Sequence, residues 1–343
     1  MSDVANRRIA DAERNSSTSL DLSGLGIRDI PPRLCSLADL TTLDLSFNEL
    51  EMLPEAIGDL TALTDLNLSG NKLAVLPDAI GDLTALTDLN LNSSNKLETL
   101  PEAIGNLISL GELHLHGNEL KALPEAIGDL TELTTLNLGD NELTVLPETI
   151  GNLTELTTLN LDRNQLTALP DAIGNLTALT CLDLDLNRLE VLPEAIGNLT
   201  ALTELYLSGN ELKALPDSVG NLAALDELHL DRNQLTALPD AIGNLIAHVS
   251  RSRIQLAQGA TGGHRRPHRT HRPQPQWQQA RSAARRHRQS HRAQPLNLHG
   301  LCEISAFGTL ATRFRPTGPY RHRFRPEPPE VSPIWSPRCR FAL

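Results

Sequence analysis

The chain has 343 residues, 40% of them hydrophobic but only 3% aromatic, with four cysteines. A core so poor in rings is built from aliphatic side chains, which argues against the aromatic-rich packing usual in a large globular enzyme. The formal net charge of -12 is unevenly spread: residues 247–343 hold 18 arginines against three acids, while the first 246 hold 39 acids against 12 basic residues, so an acidic unit precedes a basic tail.

The first predicted element is a short helix over residues 4–14, with Ile9 and Ala10 placed to cover the segment that follows. Residues 1–16 are read as an N-terminal helical cap. They lead into no apolar segment, and no apolar run in the chain has spanning length, so neither a secretion signal nor a membrane span is expected. Cys35, Cys181, Cys302 and Cys339 share no metal-ligand or redox spacing. No disulfide framework is expected, and a reducing, cytoplasmic setting is.

From residue 17 the sequence repeats itself. Prolines stand at 31, 54, 77, 101, 124, 147, 170, 193, 216 and 239, at intervals of 23 with a single 24. Asparagines keep the same beat at Asn48, Asn71, Asn95, Asn118, Asn141, Asn164, Asn187, Asn210 and Asn233. The first repeat has Leu25 at the asparagine position, and the one extra residue falls in the loop Asn92-Ser93-Ser94-Asn95. The alternation in Leu66-Asn67-Leu68 is that of a strand, with both leucines on one side. Ile57, Leu60, Leu63, Leu73 and Leu76 point inward from the rest of the same coil. No coil buries its leucines alone, so about ten must stack, with successive strands pairing in parallel roughly 4.8 Å apart.

At the turn leaving each strand an asparagine offers donors and an acceptor to backbone groups of its own and adjacent coils. Leu76-Pro77 and its equivalents open the outer segment, where proline fixes φ; Gly81 and its counterparts are read as allowing a turn that a side chain would hinder. One full unit runs Leu53-Pro-Glu-Ala-Ile-Gly-Asp-Leu-Thr-Ala-Leu-Thr-Asp-Leu-Asn-Leu-Ser-Gly-Asn71-Lys-Leu73. This text resembles the leucine-rich-repeat family in its 23-residue intracellular form, and is similar to the repeats of Ras-group leucine-rich proteins and of Roco GTPases. The resemblance covers residues 17–246. It implies an α/β solenoid, a right-handed horseshoe with a concave parallel sheet, that holds other proteins and performs no catalysis.

The residues between the strand leucines face the concave side, and they are mostly acidic. The candidate protein-binding positions are Asp44, Asp65, Asp88, Glu112, His114, His116, Asp162, Asp183, Asp185, Glu204, Tyr206, Glu227, His229 and Asp231. Such a face attracts a basic partner surface; the plain alternative is that it only keeps the repeats soluble. The departures from repetition, Glu112-Leu-His114-Leu-His116, Cys181, Tyr206 and Glu227-Leu-His229, are the preferred contacts, because Tyr and His suit interfaces. Neighbouring strands bring Asp162 beside Asp185 and Asp183 near Glu204, a spacing that suits a glycosidase pair. The solenoid makes such pairs at every step, so no catalytic residue is assigned. His114 and His116 share a strand face, but no third metal ligand is evident, and no metal, cofactor or small-molecule substrate is expected.

The last good coil stops at Leu245 with no visible cap, so its apolar edge is expected to be exposed. Beyond it the composition turns to His, Arg, Pro and Gln. His264, Arg265, His268 and Arg269 nevertheless recur 23 residues later as His287, Arg288, His291 and Arg292. Read one base later, the codons from His264 permit Ile-Gly-Asp-Leu-Thr-Ala-Leu-Thr-Asp-Leu-Asn, the text of residues 57–67. Residues 247–343 are therefore read as a disordered tail, frameshifted near Ala247, with a nucleic-acid-binding arm and a histidine metal tract as the competing readings. No phosphate loop Gly-x-x-x-x-Gly-Lys-[Ser/Thr] occurs anywhere. The functional expectation is a signalling scaffold for a protein partner, linked to small GTPases as the resemblance implies. The alternative is the recognition module of a larger enzyme, such as a Roco GTPase or a ligase-type bacterial effector.

Overall fold

A computed structural model describes residues 3–93, 95–248 and 253–255. The reading of residues 247–343 as a frameshifted, disordered tail lies outside the described residues except at 247–248 and 253–255. Helix α1 (Asp3–Asn15) turns Ala5, Ile9 and Ala12 onto the first coil, each at most 5% exposed. The spacing i, i+4, i+7 is one helical stripe. Ala10, expected in that role, sits half-buried beside the stripe because it is only one residue from Ile9. Arg8 fastens the helix to the first coil by donating to the Asp21 carbonyl at 2.7 Å, and Arg33 pairs with Glu13.

Strands β1 (Ser19–Asp21) and β2 (Thr42–Asp44) follow, separated by the single turn of α2 (Pro32–Cys35). Strands β3 (Asp65–Asn67), β4 (Asp88–Asn90), β5 (Glu112–His114), β6 (Thr135–Asn137), β7 (Thr158–Asn160), β8 (Cys181–Asp183), β9 (Glu204–Tyr206) and β10 (Glu227–His229) then alternate with 3-10 turns, from Glu55–Asp59 to Asp217–Asn221. Every neighbouring pair is parallel and in register, Leu43 opposite Leu66 and Leu66 opposite Leu89. The coils form one continuous leucine core in which Ile57, Leu60, Leu63, Leu66, Leu68 and Leu73 are each at most 1% exposed. Each such burial is worth about 1.5–3 kcal/mol.

The proline before each turn is extended, as at Pro54 with φ -72° and ψ 152°, and leads directly into the 3-10 turn. The glycines of those turns have a different reason from the one expected. Gly81 does not adopt a left-handed conformation; a Cβ there would lie 2.4 Å from the Ala103 carbonyl oxygen of the next coil. Glycine therefore sets how closely coils stack, not how sharply they turn.

The asparagines bridge neighbouring coils, and the direction of their hydrogen bonds is informative. Asn164 donates to the carbonyls of Leu138 (2.9 Å) and Leu161 (3.1 Å) and accepts from the Leu143 N–H (3.0 Å). Two of these three partners belong to the preceding coil. Asn48 likewise accepts from the N–H groups of Leu25 and Ile27, so the first coil is served by the second. Leu25 can replace asparagine there because no coil precedes it to need one.

At the other end the expectation of a bare edge is corrected. Ile242 and Leu245 are 4% and 3% exposed, three residues apart on α3 (Ile242–His248), so one turn of helix covers the last coil. Strand β11 (Arg253–Gln255) then pairs in parallel with β10, which occupies the backbone groups an edge strand leaves open. The result is a single sheet of eleven strands. Among the described residues no helix is long and apolar enough to cross a membrane.

Candidate protein-interaction face

In the Leu-x-Leu text of each strand, alternation sends the residues flanking the leucines to one face. Parallel register lines them up in three columns. The first runs Thr42, Asp65, Asp88, Glu112, Thr135, Thr158, Cys181, Glu204 and Glu227, and the second runs from Asp44 to His229 through the last residue of each strand. The third lies two residues further on, and holds His116, Gly139, Asp162, Asp185 and Asp231.

The second column is mostly structural. Asp44, Asn67, Asn90, Asn137, Asn160 and Asp183 each accept, through Oδ1, the N–H two residues ahead, at 2.8–3.2 Å. These side chains close the end of their own strand. Three strands break the column, with His114, Tyr206 and His229. Two of the three are compensated from the coil before: Asn92 accepts from the His116 N–H at 2.8 Å, and Asp185 accepts from the Ser208 N–H at 2.6 Å. In these two strands the N–H is satisfied from the preceding coil and not by His114 or Tyr206.

Asp65 and Glu112 are exposed, and Asp44, Asp88, Asp162, Glu204, Glu227, Asp231, His116 and His229 are half-buried. Asp183 and Asp185, expected to be solvated, are buried at 3% and 2% exposure, their carboxylates turned onto the backbone N–H groups just named. Register sets Asp183 opposite Tyr206 and Cys181 opposite Glu204, so Asp183 and Glu204 are diagonal neighbours. Cys35 is buried and free, and Cys181 is buried.

Three clusters stand out. At β9–β10, the Tyr206 hydroxyl lies 3.0 Å from a Glu204 carboxylate oxygen and 3.4 Å from one of Glu227, and its ring packs on His229 at 4.7 Å between centroids. Burial and then the Glu204 charge push the Tyr206 phenol well above its usual range. In the third column, His116 and Asp162 lean over Gly139 from either side, where a Cβ would lie 2.8 and 2.2 Å from their polar atoms. Burial raises the Asp162 carboxyl above its usual range, against the opposing pull of His116 and Arg163. At β4–β5, His114 approaches Glu112 at 3.2 Å with Asp88 alongside. Burial raises the Asp88 carboxyl, and the His114 charge partly offsets it. The paired His114 and His116 of the sequence reading thus belong to different clusters.

One group of surface residues was invisible to that reading. Where it is described, the position before the asparagine is left-handed, held by glycine at Gly70, Gly117 and Gly209, by the polar Asp140, Arg163 and Arg232, but by Phe47 at φ 52° and Leu186 at φ 56°. Phe47 is 72% exposed. The left-handed conformation costs a residue with a side chain roughly 1–2 kcal/mol, and at Phe47 it carries a large apolar ring into solvent; the signal was Phe in place of Gly in Ser-Gly-Asn.

Family models match the chain over residues 92–187, as a "leucine-rich repeat region", and over 17–73 and 177–235, as a "leucine rich repeat". Among solved structures, a leucine-rich-repeat protein of Leptospira interrogans is 34% identical over 73% of this chain and 71% of that chain, with a TM-score of 0.63. The effector YopM of Yersinia pestis is 33% identical over 71% of this chain and 62% of its own, at 0.57. A TDR receptor is 31% identical over 72% of this chain and 44% of its own, at 0.63. No curated protein sequence matches the chain.

Proposed function

The chain belongs to the leucine-rich-repeat family, and from that premise we propose that it binds a partner protein on its strand face, and that the contacting surface of the partner is basic. Repeat solenoids present extended surfaces of this kind for binding. The observation that supports the basic partner is the charge of the face: Asp65, Asp88, Glu112, Glu204 and Glu227 hold five of the nine first-column positions from β2 to β10, the other four are Thr42, Thr135, Thr158 and Cys181, and a cation enters the column only at its end, where Arg253 of β11 stands opposite Glu227. Lines of one charge speed association with the opposite sign and make it salt-sensitive.

The test is capture by the full chain at low and high salt, beside a variant carrying Asp65→Asn, Glu112→Gln, Glu204→Gln and Glu227→Gln. Raising ionic strength to about 1 M shortens the Debye length to about 3 Å. A partner lost at high salt, and lost again from the neutralised variant, supports the reading; one held equally by both proteins rules out the acidic face.

We further read the setting as cytoplasmic signalling, joined to small GTPases by the resemblance to Ras-group and Roco repeats. Alkylation of the protein's thiols in intact cells tests that setting. A second reading, the recognition part of a longer effector or receptor, is favoured by the likeness to YopM and to the TDR receptor, of which this chain spans 62% and 44%. The nucleotide sequence around codon 247 tests it: repeats and then a further domain in the shifted frame support it, and a frame that closes at once does not.

A further inference from the structure

Glu-Leu-His occurs twice on the strand face, at Glu112–His114 and at Glu227–His229, each time opposite another acid, Asp88 or Glu204. The two copies differ in one neighbour. Beside the second stands Tyr206, whose hydroxyl reaches both Glu204 and Glu227 and whose ring covers His229. That cluster is closed by a phenol. Beside the first stands Asn90, whose side-chain oxygen is turned to the Asn92 backbone N–H instead.

The geometry points to a site for one divalent transition-metal cation of the zinc class, held by Asp88, Glu112 and His114. One donor atom from each lies within 4.8 Å of the other two, and the His114 Nε2 is 3.2 Å from a Glu112 oxygen. Ligands of a single zinc ion, at about 2.0–2.2 Å from it, stand roughly 3–4 Å apart, so small side-chain rotations close the set. Register fixes the approach: Asp88 and Glu112 face each other across one strand pair, and Glu112 and His114 alternate onto the same face. An imidazole nitrogen selects zinc, cobalt or nickel over calcium and magnesium, which take oxygen donors in larger number. Three protein ligands leave a position that water fills.

Two substitutions test this without disturbing the coil, because the next strand already carries their products: Glu112→Thr matches Thr135, and His114→Asn matches Asn137. Zinc chloride is titrated calorimetrically into the full chain in a non-chelating buffer. Histidines of residues 247–343 that take up zinc do so in every variant, so the reading is the difference. One zinc equivalent fewer in E112T and in H114N, or at least tenfold weaker binding at that equivalent, is the expected result. H229N should bind as the unaltered protein does, and millimolar calcium or magnesium should not compete. Unchanged titrations in both E112T and H114N overturn the site, as does equal loss in H229N. Calcium that displaces zinc at matched concentration overturns the metal class.

Discussion

The coils at Asn164 and Asn118 carry the same asparagine for the same purpose, yet they do not achieve it equally. Asn164 joins three backbone groups across two coils. Asn118 donates to the carbonyls of Leu91 and Leu115, but its Oδ1 is buried with no partner. The coil to which Asn118 reaches back is the one carrying the extra residue at 92–95. An inserted residue in a surface loop costs little chain entropy; the cost falls on the buried hydrogen bonds, which depend on neighbouring coils having the same length.

The largest effect separates the two asparagines directly. Asn164→Ala orphans the buried Leu143 N–H and takes one of two donors from each of the Leu138 and Leu161 carbonyls, which keep Asn141 and Asn187, and should cost about 2–4 kcal/mol; Asn118→Ala orphans no backbone group, because the Leu91 and Leu115 carbonyls keep Asn95 and Asn141, removes an unsatisfied oxygen, and should cost about half as much. Urea unfolding followed by two probes measures both, since repeat arrays can depart from two-state behaviour; equal losses would break the comparison.

Next come the stacking glycines, which sharpen it. A Cβ at Gly105 or Gly128 would lie 2.7 or 2.5 Å from a carbonyl oxygen of the following coil, so Gly105→Ala and Gly128→Ala should each cost about 1–3 kcal/mol. Similar losses in melting experiments would confine the influence of the insertion to the strand side. Deleting one residue between Asn92 and Asn95 should then stabilise by about 1 kcal/mol, provided it returns a donor to the Asn118 Oδ1; no gain would place the defect elsewhere.

The smallest effect concerns pH. Burial raises the folded-state pKa of Asp162 above its ordinary value of 3.8. A raised carboxyl contributes stability when protonated and loses it as pH climbs through the folded pKa. Asp162→Asn should therefore be more stable than the parent at neutral pH, by no more than about 0.5 kcal/mol. That gain should vanish as the pH falls towards 3.8; a gain that persists in acid would point to packing over Gly139 instead.

Much of the fold was legible because leucine, proline and asparagine keep one beat, and each has a single physical use per coil. What escaped was whatever depends on the coil next door. Gly81 looked like a turn residue, since a sequence does not show the Ala103 carbonyl above it. Asp44 and Asp183 looked like binding residues, although the period-two pattern also fits their use in closing the strand. His114 was matched with His116 by proximity in sequence, whereas it approaches Glu112, which register sets opposite Asp88. The helical cover of Ile242 and Leu245 was missed because it begins where the repeat text ends.

The backward reach of the asparagines gives the solenoid a polarity like that of roof shingles. Asn233 finishes the coil of Leu212 and Leu207, just as Asn48 finishes the first. During synthesis the amino-terminal coils emerge first, and each newcomer carries the side chain that completes its predecessor. The growing structure is thus never more than one coil short of satisfied, and truncation from the carboxyl end should leave one unfinished coil wherever the cut is made.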